Sequence, residues 1–289
     1  MRAYPALILT WTRPAGPDEI DIALAALDGT GVTAVEDLDN GIRVFFATPM
    51  ARDAAVAAVH VLPDVTCRAS DVPDEDWAAR SQTALGPVTV GDVTVAPPWT
   101  VTPALRAQSK HLVIIQPSMG FGTAHHASTR LCLSWLQQLP LAGVRVLDVG
   151  TGSGVLAITA ACLGATTSTG IDVDPDALAN ARENIALNDA TGVELHELDL
   201  SAAPAGLDQR FDVILANLTG GLLSRDVAAF QRLSAPGARL IISGFQTHEI
   251  AQVVCAFRDA GWTSVGETED ETWVGALLAR PGAPVVQPA

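Results

Sequence analysis

The chain has 289 residues, 48% of them hydrophobic, enough for one large and one small folded core. Seventeen basic against 32 acidic residues give a net charge of -15, which excludes the basic patches of a general nucleic-acid binder and suits either a basic protein partner or plain solubility. No apolar run nears the roughly 20 residues of a membrane span, Met1 to Tyr4 opens no signal-peptide core, and Cys67, Cys132, Cys162 and Cys255 form no C-x-x-C pair, so a cytoplasmic monomer without metal or disulfides is expected.

Six short elements fill the first seventy residues. Ala6 to Trp11 is apolar and extended, Pro17 to Leu27 has helical spacing, and Val32 to Glu36 and Gly41 to Ala47 flank the turn residues Asp39-Asn40-Gly41 as two strands. Arg52 to Val61 is an alanine-rich amphipathic helix and Val65 to Ala69 a last strand. The order β-α-β-β-α-β predicts a small α+β ferredoxin-like domain over residues 1–70. The polar run Ser70 to Asp76 then leads into a short helix through Trp77 to Thr83, which makes 71–85 a linker helix and 86–289 a second domain.

Valine, glycine and proline crowd Gly86 to Trp99 and predict a hairpin at the start of that domain. From Val144 onward apolar runs alternate with helical patterns. Strands are expected at Val144 to Val149, Ser168 to Val173, Val193 to Leu198, Phe211 to Ala216 and Arg239 to Ser243, with helices at Val155 to Leu163, Pro175 to Asn188, Leu222 to Leu233 and Ile250 to Ala260. Such alternation predicts an α/β, Rossmann-like fold, a mostly parallel sheet covered on both faces. Thr272 to Ala279 has no helix after it and is the candidate antiparallel strand, before a proline-rich tail from Pro281.

The first chemical signal is the loop Asp148-Val149-Gly150-Thr151-Gly152-Ser153-Gly154, between a strand and a helix. Gly150, Gly152 and Gly154 make G-x-G-x-G, whereas a dinucleotide fingerprint needs glycine or alanine where Val155 stands. A pyrophosphate would also be repelled by Asp148. S-adenosylmethionine carries no phosphate, and its ammonium and sulfonium suit a carboxylate there. Asp172, twenty-two positions after Gly150 at the end of the next strand, is placed to accept from a ribose diol. Asp174 and Pro175 read as the N-cap and first residue of the following helix. Asp199, after the third strand, is a candidate for the adenine amino group.

At the end of the fourth strand Asn217 stands where amino-methylating enzymes of this class commonly carry an Asn or Asp that orients the attacking nitrogen, with a helix cap as the plain alternative. Upstream, Gln116 to Thr129 holds too many glycines and hydroxyls for a helix until Ser128-Thr129 introduces the run Leu131 to Leu136. This block resembles the P-G-x-x-F-G-T-G-x-H-x-T-T segment of the bacterial ribosomal protein L11 methyltransferases, the PrmA family. The resemblance extends over nearly the whole chain, through Asp76-Trp77, Pro87-Val88, Pro98-Trp99, Gly170 to Pro175, Ala216-Asn217-Leu218, Ser243-Gly244 and Glu271-Thr272-Trp273.

The resemblance implies a class I methyltransferase domain with a seven-stranded sheet, a small N-terminal substrate-recognition domain and a basic ribosomal protein as substrate. It puts Thr129, Gly150, Asp172 and Asn217 on cofactor-contacting positions and Phe121, Gly122 and Thr123 through His126 on a covering loop. His126 becomes a candidate base or a loop-bracing residue. Ala124 and Ser128 depart from the family's glycine and threonine, which bears on substrate choice. The expected reaction is methylation of lysine side chains, and of an N-terminal amine. The alternatives are another substrate, or a non-catalytic cofactor-binding module.

Overall fold

The computed structural model describes residues 3–11, 17–27, 30–38, 41–59, 65–73, 85–117, 124–202, 207 and 209–282. The expected Asp39-Asn40 turn, the Trp77 to Thr83 helix, Phe121, Gly122 and Thr123, and the tail after Gly282 lie outside them. The chain divides into two compact units, Met1–Ala84 and Leu85–Ala289.

In the first unit β1 (Ala3–Trp11), α1 (Pro17–Ala26), β2 (Val32–Leu38), β3 (Gly41–Phe46), α2 (Pro49–Val59) and β4 (Val65–Pro73) follow the expected order. The sheet runs β2-β3-β1-β4 with every neighbour antiparallel, the ferredoxin-like arrangement. Alternate residues of β1 and β3, Leu7, Leu9, Ile42 and Val44, turn onto Ala23 and Leu27 of the α1 segment and onto Ala55 and Val59 of α2. Strand β4 runs four residues past the predicted Ala69, because Ser70, Asp71, Val72 and Pro73 continue to pair with Ala6, Pro5, Tyr4 and Ala3. Backbone pairing along an edge holds a polar stretch that composition alone marks as linker.

The second unit opens with the hairpin β5 (Val88–Val90) and β6 (Val93–Ala96), which continues through α3 (Pro103–Gln108) to β7 (His111–Ile114), parallel to β6. Then come α4 (Ala127–Leu136), β8 (Arg145–Val149), α5 (Val155–Cys162), β9 (Thr167–Asp172), α6 (Pro175–Leu187), β10 (Val193–Glu197), β11 (Phe211–Asn217), α7 (Gly220–Arg225), α8 (Val227–Leu233), β12 (Ser234–Gln246), α9 (Ile250–Asp259), β13 (Thr263–Asp270) and β14 (Trp273–Ala279). The large sheet has the order β10-β9-β8-β11-β12-β14-β13. Six strands run in one direction, and β14 alone is inserted antiparallel, between β12 and β13.

Both faces of this sheet are buried, which is why its strands read as continuous apolar runs. Leu147, Ile214, Ala216, Leu240 and Ile242 face Phe230 and Phe257, while Val146, Val213, Leu215 and Ile241 face Leu133, Trp135 and Ile158. Two expectations change. The single helix predicted from Leu222 to Leu233 breaks at Asp226, which has φ -102° and ψ 19° and ends α7 as it starts α8. Strand β12 begins at Ser234 rather than Arg239 and bulges between Ile242 and Phe245. No helix among the described residues is long and apolar enough to cross a membrane.

Candidate active site

The parallel strands β8, β9 and β11 end on one edge, and the loops leaving that edge build the site. After Val149 the chain turns with φ of 68° at Gly150, 53° at Gly152 and 80° at Gly154, backbone that residues with a Cβ adopt only under strain. The loop is tied inward. Gly150 and Thr151 donate their N–H groups to Ile171 O at 2.9 and 3.0 Å, Gly152 donates to Asp172 Oδ2 at 2.9 Å, and Gly154 donates to Thr151 O at 2.8 Å. A phosphate site needs such groups pointing outward. The ligand this loop fits is one without a phosphate.

Asp148 takes a different place from the one expected of it. It is 1% exposed and lines neither cavity of the site. Its Oδ2 accepts from Thr151 Oγ1 at 2.7 Å and from the Ala157 N–H at 3.2 Å, so it binds the loop to the first turns of α5. Strand alternation explains this: Leu147 and Val149 face one side of the sheet, and Asp148 shares with Val146 the side that α5 covers. Burial pushes its carboxyl up to about 7, against the lowering effect of the two hydrogen bonds.

Asp172 does reach the open side. It lines a cleft of about 290 Å³ with Val149, Gly150, Val173, Leu198 and Asp199. Its two oxygens accept from the Gly152 and Asp174 N–H groups, the latter at 3.1 Å, which fixes the carboxylate at the lip. Asp174 caps α6 through an acceptor contact from Asp176 N at 2.9 Å, as expected. Asp199 also lines the cleft, with Oδ1 held by the Ser201 N–H at 2.8 Å and Oγ at 2.7 Å, and these bonds hold its carboxyl below the usual carboxylate range. Val173 is 62% exposed, an apolar surface beside two carboxylates that fits a flat heterocycle. The pairing of Arg225 with Asp226 at 2.7 Å adds the cleft's cation.

A second pocket, of about 170 Å³, lies at the end of β11 and is lined by His126, Ser128, Thr129, Asn217, Leu218, Thr219, Gly244 and Trp273. Asn217 Nδ2 donates to Thr129 Oγ1 at 3.2 Å, so the amide belongs to this pocket and is not a helix cap, a position taken by Thr219. Gly244 is required beside it: with φ 90°, any Cβ there would lie 2.6 Å from Leu218 O and 2.9 Å from Asn217 Oδ1. His126 is the N-cap of α4. Its Nδ1 accepts from the Ser128 N–H at 3.3 Å and lies 2.7 Å from Ser128 Oγ, and its ring packs edge-on against Trp273 with centroids 4.4 Å apart.

Site residues that reasoning from the strand ends missed include Val173, Leu198, Leu218, Gly244 and Trp273. Trp273 carries the clearest signal, since it opens the antiparallel strand whose sheet position delivers it to the pocket.

A family model described as Ribosomal protein L11 methyltransferase (PrmA) matches residues 33–280. Among curated proteins, the ribosomal protein L11 methyltransferase of Deinococcus radiodurans is 34% identical over 277 residues, 94% of this chain and 97% of that one. The protein of the same name from Geobacter sulfurreducens is 36% identical over 267 residues, 88% and 87% of the two chains. Among solved structures, the ribosomal protein L11 methylase of Lactobacillus delbrueckii subsp. bulgaricus is similar in fold, with a TM-score of 0.62 and 24% identity, covering 68% of this chain and all of that one.

Proposed function

Because the chain belongs to the ribosomal protein L11 methyltransferase (PrmA) family, we propose that it methylates ribosomal protein L11 on lysine side chains and on its N-terminal amine, using S-adenosylmethionine. One observation carries the reading: Leu218 lines both cavities, so a cleft suited to a nucleoside without phosphate adjoins a pocket with an amide suited to an amine.

When bound, the cofactor supplies a methyl group activated by its positive sulfur. Asp172 would accept from the ribose hydroxyls, Val173 and Leu198 would flank the adenine, and Asp199 would meet its amino edge. With Nδ2 donating to Thr129, Asn217 has Oδ1 to accept an N–H of the incoming amine and aim its lone pair. A lysine amine, with a reference pKa of about 10.4, must arrive deprotonated. The apolar wall of Leu218 and Trp273 disfavours the ammonium, and the proton leaves to solvent. We assign His126 to bracing α4 and Trp273, since its Nδ1 is engaged as the cap.

The N-terminal unit we assign to substrate recognition. Its edge strand β2 exposes Val32 and Val35, and Met50 at the start of α2 is 80% exposed, apolar side chains available to a protein partner. To test the function, the protein and labelled cofactor are incubated with dissociated ribosomal proteins from cells lacking the enzyme. Mass spectrometry should find added methyl groups on L11 amines, and an unlabelled L11 overturns the proposal.

A further inference from the structure

Helix α6 and its C-cap carry asparagines at positions 180, 184 and 188, one turn apart on one face, and in none of them is the side chain left to solvent as a surface amide would be. Asn188 clasps a single residue of the preceding segment: its Oδ1 accepts from Ile114 N at 2.7 Å and its Nδ2 donates to Ile114 O at 2.6 Å. Asn180 donates to Gln116 O at 3.2 Å. Together they treat the backbone of 114–116 as a sheet edge treats a neighbouring strand.

Asn184 differs from both. It is fully buried, accepts from Gln116 N at 2.7 Å, and donates to Ser153 O at 2.8 Å. A second donor contact, 3.4 Å to Asn180 Oδ1, completes the amide. Ser153 lies inside the glycine loop, between Gly152, whose N–H holds Asp172, and Gly154, the N-cap of α5. Thus one side chain joins the end of the β7 segment to the loop whose shape sets the Asp172 carboxylate.

We propose that Asn184 is a positioning residue for cofactor binding: through Ser153 O it holds the glycine loop in the shape that presents Asp172, whereas Asn188 holds only the fold. The inference rests on the cleft being the S-adenosylmethionine site. Removing the amide takes one donor from the Ser153 carbonyl and the acceptor from the Gln116 N–H, cuts the tie between the loop and the β7 segment, and lets the loop shift. With three glycines at positive φ, its backbone has freedom to do so.

The test uses the purified full chain and S-adenosylhomocysteine as the probe, with affinity measured by calorimetry and thermal melting recorded without the probe. Asn184→Leu and Asn188→Leu should both lower the melting temperature, but only Asn184→Leu should raise Kd, by roughly tenfold, about one hydrogen bond's worth. Asn184→Asp guards against misfolding. Its buried carboxyl, when protonated, can donate to Ser153 O as the amide does, so its affinity relative to the unsubstituted chain should recover as pH falls from 8 to 6. Equal effects of the two leucine variants on Kd, no effect of Asn184→Leu, absence of the acid recovery, or loss of folding in both Asn184 variants overturns the proposal. Failure of the unsubstituted chain to bind the probe refutes the cofactor reading instead.

Discussion

Asn217 and Thr129 stand 88 positions apart in the chain, and the Nδ2 of one donates to the Oγ1 of the other at 3.2 Å. The bond fixes which end of the amide faces the pocket lined by Leu218 and Trp273, and it ties the end of β11 to the first turn of α4. Thr129→Val keeps the shape and removes the acceptor. Methyl transfer to L11 should fall by about tenfold in kcat/KM, the size of one hydrogen bond, with melting little changed. Asn217→Ala should fall further, and full activity in that variant refutes the amine-orienting role.

His126→Asn separates bracing from proton transfer. Asparagine is a good N-cap and can accept from the Ser128 N–H, but it has no imidazole. A brace predicts a modest loss, from the missing ring contact with Trp273, and a pH–rate profile that keeps its shape. A base predicts a loss of at least about 10²-fold and a lost limb of the profile.

Asp148 makes stability depend on pH. The unfolded group releases its proton near 3.8 and the folded one near 7, so between those values the native state binds more protons and stability falls as pH rises. Above about 7 this contribution is flat. Asp148→Asn retains an oxygen for Thr151 and Ala157 and cannot ionise, so its melting temperature should lose the downward slope between pH 4 and 7. At pH 8 the variant should melt at or above the unsubstituted chain, and parallel melting profiles across this range contradict the assignment.

Ligand selectivity follows from the inward-tied loop. At a hundredfold excess over Kd a ligand that binds only the native state adds about 2.7 kcal/mol of stability. S-adenosylmethionine and S-adenosylhomocysteine should raise the melting temperature accordingly, whereas NAD and ATP at the same concentrations should not. A comparable shift with ATP means that the loop opens to a phosphate.

Much of this arrangement is legible in the residues. Gly150, Gly152, Gly154 and Asp172 signal it because a strand, a turn and a helix start are local events, each with its own residue chemistry. The direction of Asp148 depends instead on which sheet face α5 covers, a tertiary fact. Strand β13 hides for a related reason: Thr263–Asp270 has a single large apolar residue, Val265, and owes its existence to pairing with β14. The Asn180, Asn184 and Asn188 row resembles an ordinary polar helix face until the segment that it clasps is in place. The break at Asp226 is similarly silent, since Leu222, Leu223, Val227 and Phe230 keep helical spacing across it.

The insertion of β14 between β12 and β13 has a consequence for biosynthesis. A chain made from its N-terminus has its glycine loop, its Asp172 and even its Asn217 before Trp273 emerges, and β13 has no sheet neighbour until β14 arrives. The nascent protein can therefore shape the cleft beside Asp172 early, whereas the aromatic wall of the pocket beside Asn217 follows only once β14 has emerged.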